Sequence, residues 1–435
     1  MSRALAPDVL ILGGGPAGST AGTLLAEAGF AVTILERERF PRFHVGESLL
    51  PHSLPLLDRL GVHQRVRQLP HTRYKPGASF VSADGAKAVE YRFAEALPPA
   101  IPHAYQVRRD EFDQMLLERA KEAGAKVLEG WEAVAPQWEG KRLSGLLVRD
   151  PGGQEHLVRF RAFLDASGQK AFLASRMGWR FPYPKHRKVA AVSHFRGVWL
   201  PPGEASGNIT IALTQGGWFW LIPFGDDTVS VGAVLDVAFW KTQGKDPEEV
   251  FRQAVAGTPE VARRLAEARP LLPFSAVQNF SYRVTKMAGD GFCLVGDAAG
   301  FLDPIFSTGV FNATTTAASA AEDVADALHR HGRVEAADFA PTVTVTRMLQ
   351  RTFFSFIRSY YDPDFLAFFF HPRPFLQLPA AVTSLLAADL LRPGRRLRVA
   401  RFRVLQALAL AQKLGRRWNV SLVPPLDATP GATPP

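Results

Sequence analysis

Cysteine is almost absent from this chain. Cys293 stands alone among 435 residues, so neither an internal disulfide nor a thiolate metal cluster can form, and no metal site is expected. Long apolar runs are missing as well. A membrane span needs about 18 consecutive apolar residues, and the longest candidate, Phe353 to Leu391, is broken by Arg358, Asp362, Asp364, His371 and Arg373. The opening MSRALAPDVLILGGG enters a strand without the basic segment, apolar core and cleavage site of a signal peptide, so a soluble, cytoplasmic chain is expected. Asp and Glu are absent from Leu390 to Leu426, where Arg392, Arg395, Arg396, Arg398, Arg401, Arg403, Lys413, Arg416 and Arg417 carry nine of the ten net positive charges. No nucleic-acid motif accompanies them, which argues against a nucleic-acid protein.

With 47% hydrophobic and 21% charged residues the chain is globular, and its length allows two or three domains. Asp8 to Gly13 reads as a buried strand, Pro16 to Gly29 as a helix with a glycine stop, and Ala31 to Glu36 as a second strand. That opening predicts an α/β, Rossmann-like doubly wound sheet. Glu111 to Ala123 reads as a helix, Phe163 to Gly168 and Phe292 to Asp297 as further strands, and Gly309 to His329 as a long small-residue helix. Val189 to Leu235 alternates apolar and polar residues and predicts an antiparallel sheet. The expected division is a discontinuous nucleotide-binding domain (1–70, 105–180, 285–345), a substrate-domain sheet (71–104, 181–284), a Phe-rich C-terminal helical cap (346–423) and a disordered Pro-rich tail (424–435). Leu397, Val404, Leu405, Leu408 and Leu410 suggest an amphipathic helix in the basic segment. It packs on the body with a solvated arginine face, or it serves an acidic partner or an anionic membrane surface.

Gly13, Gly15 and Gly18 form G-x-G-x-x-G between the first strand and the first helix. The first two permit a tight turn and close backbone approach to a pyrophosphate, the third close helix–strand packing, and the helix N-terminus favours an anion. Glu36 ends the second strand, where an acid hydrogen-bonds an adenosine ribose.

With these residues in register the chain resembles the FAD-dependent oxidoreductases of the aromatic-hydroxylase type. Val107-Arg108-Arg109-Asp110-Glu111-Phe112-Asp113 matches V-x-R-x-x-F-D, which implies that Arg109 lies near the flavin. Asp165-Ala166-Ser167-Gly168 matches the strand closing the adenine side, and Gly296-Asp297 the late G-D motif, whose acid holds the ribityl chain or caps a helix. The resemblance thus implies FAD, held by Gly13, Gly15, Ala17, Gly18, Glu36, Arg42, Ser48, Arg109, Asp297 and Gly309.

Three segments are similar to those of flavin-dependent halogenases. Pro41 to Pro51 contains G-E-S-L-L-P, which the related geranylgeranyl reductases share, and Trp218 to Pro223 is an intact W-x-W-x-I-P. Trp218 and Trp220 face one way on a strand, as a catalytic pair or as an aromatic core pair. Tyr74-Lys75-Pro76-Gly77-Ala78-Ser79-Phe80 resembles the K-x-G-[AG]-x-F strand that separates flavin chamber from substrate. The resemblance implies that reduced flavin and O₂ give a C4a-hydroperoxide, that chloride or bromide attacks its distal oxygen, and that Lys75 holds the resulting hypohalous acid by an ammonium hydrogen bond or as a haloamine. The haloamine route needs burial to lower the amine's pKa. The bland alternative is a solvated surface lysine.

Asp303-Pro304-Ile305-Phe306-Ser307-Thr308-Gly309-Val310 resembles D-P-x-F-S-[ST]-G-V, with halide bound at the backbone N–H groups of Thr308 and Gly309. Phe306 stands where tryptophan halogenases carry a glutamate, which points to phenol- and pyrrole-type substrates, free or tethered to a carrier protein. No second dinucleotide motif is present for NADPH, so FADH₂ is expected from a separate flavin reductase. The rival expectations are a monooxygenase or reductase on the same fold without halide chemistry, and a partner- or membrane-associated flavoprotein working through its basic tail.

Overall fold

A computed structural model describes residues 6–183, 187–278, 281–416, 421–424 and 426. The expected disordered tail falls almost wholly outside these, as does Arg417. At the centre of a six-stranded sheet lies Val9–Leu12, paired in parallel with Val32–Glu36 on one side and Ala162–Asp165 on the other. Phe292–Leu294 and Lys126–Glu129 extend the parallel array, and Ala288–Gly289 adds an antiparallel edge. Strand Val9–Leu12 is buried on both faces, as its unbroken apolar sequence requires of a strand covered by helices. Helix Pro16–Glu27 begins with proline at its first turn and stops before Gly29, whose φ is +87°. It packs against helix Gly309–His331 through Ala17, Ala21, Ala317, Ala320 and Ala321.

A second sheet is larger and mixed. Lys188–Arg196, Thr228–Asp236, Gly217–Pro223 and Ile209–Thr214 are antiparallel neighbours. Gly77–Val81 joins Ile209–Thr214 in parallel, and Ala88–Arg92 follows. The alternation expected from Val189 to Leu235 implies one solvated face, but these strands are buried almost throughout. Helix Pro247–Ala256 explains the difference: Val250, Phe251 and Ala254 cover one face through Phe219, Leu221, Val231 and Ala233. The other face, with Ala190, Val192, Trp218, Trp220 and Ile222, meets the C-terminal helices. A three-stranded meander over 132–159, unforeseen in the sequence, packs beside the first sheet.

Those helices are Ala340–Tyr360, Pro363–Phe370, Leu378–Leu386 and Arg395–Gly415. Phe356 lies at the centre of their packing and touches Phe306, Phe365, Phe369 and Phe402. Burial of each such ring is worth about 1.5–3 kcal/mol. In the basic helix Leu405 is buried as expected, but Leu397 and Leu410 are more than half exposed. The 3.6-residue period puts them off the face shared by Arg398, Phe402, Leu405, Ala409 and Gln412. Arg398 is itself buried, donating to the carbonyls of Asp389, Arg392 and Pro393. Among the described residues, no helix is long and apolar enough to cross a membrane.

Candidate active site

The three glycines of the first turn have separate tasks. Gly13 has φ +108°, and a Cβ there would lie 2.4 Å from the Ala166 carbonyl oxygen. A Cβ on Gly18 would sit 1.8 Å from the Gly13 oxygen. Both are demanded by packing. A Cβ on Gly15 would meet only Arg42 Nη2, at 3.5 Å, so nothing in the protein itself requires glycine there. The space it leaves faces the uncapped N-terminus of helix Pro16–Glu27. Free N–H donors there suit an anion, which fits the pyrophosphate of a dinucleotide. Ala17 is buried in that first turn. Glu36 accepts from Gly14 N at 2.7 Å and Glu38 N at 2.8 Å, which fixes its carboxylate at the edge of the cradle.

Arg42 lies over the Phe40 ring, with Nη1 3.2 Å from Asp113. Arg109 pairs with Asp113 through two bonds of 2.7 and 2.8 Å and donates to Val45 O at 2.8 Å. Asp113, buried in helix Arg109–Glu122, therefore holds both arginines at the cradle. Asp165 is structural: it accepts from Ser167 N and Leu173 N, and a 3₁₀ turn begins at Gly168 where a strand was expected to continue. Asp297 lies in a 3₁₀ turn, Gly296–Ala299. Its carboxylate makes no capping bond, contrary to the capping alternative, because strand Phe292–Leu294 leads into this short turn and not directly into a long helix. Burial pushes it up to about 7 against the opposing pull of the Arg109 guanidinium. A carboxyl left without a capping partner beside Arg109 suits a sugar hydroxyl. The donor set therefore fits FAD.

Lys75 ends strand Arg73–Lys75, which pairs with Ala104–Gln106. Ser48 bridges to Gln106 across the same ribbon. The lysine is 1% exposed, which excludes the surface alternative. Its Nζ donates to Ser48 Oγ and Leu49 O, each at 2.8 Å, and lies 5.3 Å from the Phe93 ring. Burial lowers its pKa from 10.5 to about 7. Lys75, Ile305, Phe306 and Ser307 line one narrow cavity with Phe93 and Leu386. Its volume of about 10 Å³ is room for roughly one water. The lysine and the Asp303–Gly309 turn, far apart in sequence, are thus brought together. Within the turn, Ser307 has φ +56° and Thr308 is buried at the start of helix Gly309–His331, its side chain making no capping bond.

Trp218 and Trp220 do not line that cavity. Their rings lie 6.0 Å apart, and each N–H is already used: Trp218 donates to Tyr361 OH at 2.9 Å, Trp220 to Ser230 Oγ at 3.1 Å. Trp220 also fills the space above Gly232, where a Cβ would come within 2.2 Å of its ring. Both rings are buried in the core between the large sheet and the C-terminal helices.

Two functional candidates escaped the sequence reading. Glu47 and His194 form a buried pair at 2.7 Å, and Tyr361 links Trp218 to Asp303. Glu47 lies in the G-E-S segment and Asp303 in the turn before helix Gly309–His331, but His194 and Tyr361 carry no local signal.

Residues 6–339 match the FAD binding domain family. Over 415 residues the chain is 30% identical to a 1H-pyrrole-2-carbonyl-[peptidyl-carrier protein] chlorinase of Pseudomonas fluorescens, covering 90% of this chain and 91% of that one. It is 33% identical over 321 residues to a tryptophan 2-halogenase of Chondromyces crocatus, covering 73% of this chain but only 60% of that longer protein. Its fold superposes on a solved flavin-dependent brominase with a TM-score of 0.84 at 29% identity, covering 95% of this chain and 100% of that one. A chain with this FAD cradle, this coverage and these relatives belongs to the flavin-dependent halogenases, FAD-dependent oxidoreductases that use halide as co-substrate.

Proposed function

We propose that the chain chlorinates or brominates an electron-rich ring of phenol or pyrrole type, with Lys75 holding and aiming the oxidised halide. The observation that carries this reading is the fully buried Lys75, lowered to about 7, in one cavity with the Ser307 turn. Reduced FAD held at the glycine cradle would, with O₂, supply the oxidising equivalents that turn halide into hypohalous acid. Gly15, Glu36, Arg42, Arg109 and Asp297 hold the cofactor, and the backbone around Thr308 and Gly309 holds halide at the start of its helix. Near pH 7 both forms of the Lys75 side chain are populated. The ammonium donates a hydrogen bond to hypohalous acid. The amine displaces hydroxide from its halogen, forming an N–halogen bond while water leaves with the lysine proton. Transfer to the ring replaces one ring hydrogen, and that proton returns to the amine.

Phe306 is buried and stacked on Phe356 at 3.9 Å, so no carboxylate stands at that position to assist an unactivated indole. This favours rings activated by their own hydroxyl or N–H. The carrier-bound pyrrole named for the Pseudomonas fluorescens relative supports a substrate tethered to a carrier protein. A separate flavin reductase supplies FADH₂, since the sequence holds one dinucleotide motif. The test is an assay with added reductase, O₂, bromide and a panel of monochlorodimedone, pyrrole-2-carbonyl carrier protein and free tryptophan. Halogenated product from the first two supports the reading. A hydroxylated or reduced product without halogen places the chain with monooxygenases or reductases of this fold.

A further inference from the structure

A cleft lies away from Lys75, between helices Ala340–Tyr360 and Arg395–Gly415. It encloses about 420 Å³, within the range of roughly 300–1,000 Å³ typical of ligand sites. Phe354, Phe365 and Leu410 form its apolar walls, and Gln406 spans it by donating to Ser355 and Ser359 at 3.0 and 2.8 Å. Arg351 and Arg358 stand on its rim, exposed and without an ion pair among the described residues. Arg347 continues their row, because steps of three and four residues return to one helix face. Helix Ala340–Tyr360 contains no Asp or Glu, and neither does Arg395–Gly415.

The expected docking set in the basic tail needs revision. Arg398 is buried in carbonyl bonds, Arg392 pairs with Asp389, and Arg416 pairs with Asp364. On the cleft itself Lys413 pairs with the lining Asp362 at 3.6 Å, which leaves Arg351 and Arg358 as its unpaired cations among the described residues, above a concave, partly apolar floor. Concavity argues against a flat lipid surface and for an inserted group. The cleft also lies one aromatic layer from the chemistry: Phe365 on its wall touches Phe356 at 6.4 Å, and Phe356 stacks at 3.9 Å on Phe306, which lines the Lys75 cavity.

We infer that this cleft is where an acidic carrier protein docks, with the phosphate of its thioester arm against Arg351 and Arg358. The inference rests on the carrier-bound substrate proposed above. Such docking is electrostatic, so it weakens as salt rises and the Debye length falls from about 10 Å at 0.1 M.

The experiment uses the full-length FAD-loaded protein and two variants, Arg351→Glu/Arg358→Glu and Arg373→Glu as a charge control away from the cleft. Labelled pyrrole-2-carbonyl carrier protein is titrated by fluorescence polarisation, and bromination of that carrier and of free monochlorodimedone is measured in parallel. The inference predicts salt-sensitive binding that the double variant weakens by about tenfold or more, with monochlorodimedone bromination unchanged and Arg373→Glu behaving as wild type. Equal loss on both substrates makes the arginines structural and overturns it. Unchanged carrier binding in the double variant overturns it, as does arginine-dependent binding to phosphatidylglycerol vesicles without carrier binding. Carrier binding by wild type with no bromination of either substrate would leave docking standing and refute the halogenase reading instead.

Discussion

Trp218 donates its indole N–H to Tyr361 at 2.9 Å, and the Tyr361 hydroxyl in turn donates to Asp303 at 2.7 Å. Burial and the Asp303 carboxylate keep the phenol protonated, so it serves as the donor throughout the working pH range. Asp303 accepts from Ile305 N at 3.1 Å and thereby shapes the turn that leads to Thr308. The W-x-W-x-I-P strand therefore reaches the Asp303–Gly309 turn, proposed above to hold halide, through a residue that ends helix Ala340–Tyr360. Loss of a buried hydrogen bond is worth about 1–2 kcal/mol, or roughly 5- to 30-fold in an equilibrium. Tyr361→Phe is expected to raise the apparent KM for bromide by that factor while FAD retention is unchanged. A bromide KM equal to wild type would leave the relay without a role.

The glycine cradle makes a paired prediction. Gly15→Val should fold, since its Cβ meets only the far end of Arg42, yet retain little FAD by the flavin-to-protein absorbance ratio. Gly18→Val should lower the melting temperature, because its Cβ collides with the Gly13 carbonyl. Retention of full flavin by a folded Gly15→Val would remove the pyrophosphate from this turn.

In the folded apoprotein Lys75 titrates near 7, against 10.5 in the unfolded chain. Between those values the unfolded state binds more protons at this site, so stability rises with pH there. Below about 7 both states are protonated and this contribution is flat. Lys75→Met should remove that rise, so its advantage over wild type is largest below pH 7 and shrinks toward pH 10. Denaturant unfolding of both proteins across this range measures the difference, and parallel curves would show that Lys75 is not desolvated.

The arginines of the basic helix separate by burial. Arg398→Ala removes three carbonyl bonds and a partner of Asp389 at 3.2 Å, and a loss of about 3 kcal/mol is expected. Arg396→Ala, on the exposed face, should stay within about 0.5 kcal/mol. Chemical denaturation of the two variants checks the contrast.

The first sheet and its nucleotide turn were readable because a buried parallel strand, a glycine turn and a helix start each have local chemistry at fixed spacing. Lys75 was readable only through a resemblance. Neither Tyr74 nor Pro76 reports that residues 73–75 form a ribbon with residues 104–106, which is what buries the amine. The alternation in Val189 to Leu235 misled for the same reason: helix Pro247–Ala256, which covers the second face, lies outside the segment. Tyr361 and His194 act through contacts made 143 and 147 residues away in sequence, and no period or motif marks such a partner. Arg398 and Arg396 are indistinguishable as residues, and only helix phase decides which one is buried.

The central claim is that Lys75 holds the halogen between flavin and ring. The direct measurement follows brominated monochlorodimedone and FADH₂ oxidation together in wild type and Lys75→Ala, at the same flavin occupancy. The account predicts that flavin oxidation by O₂ continues at the wild-type rate while brominated product from the variant is lost. Bromination by Lys75→Ala at the wild-type yield per FADH₂ oxidised would contradict it.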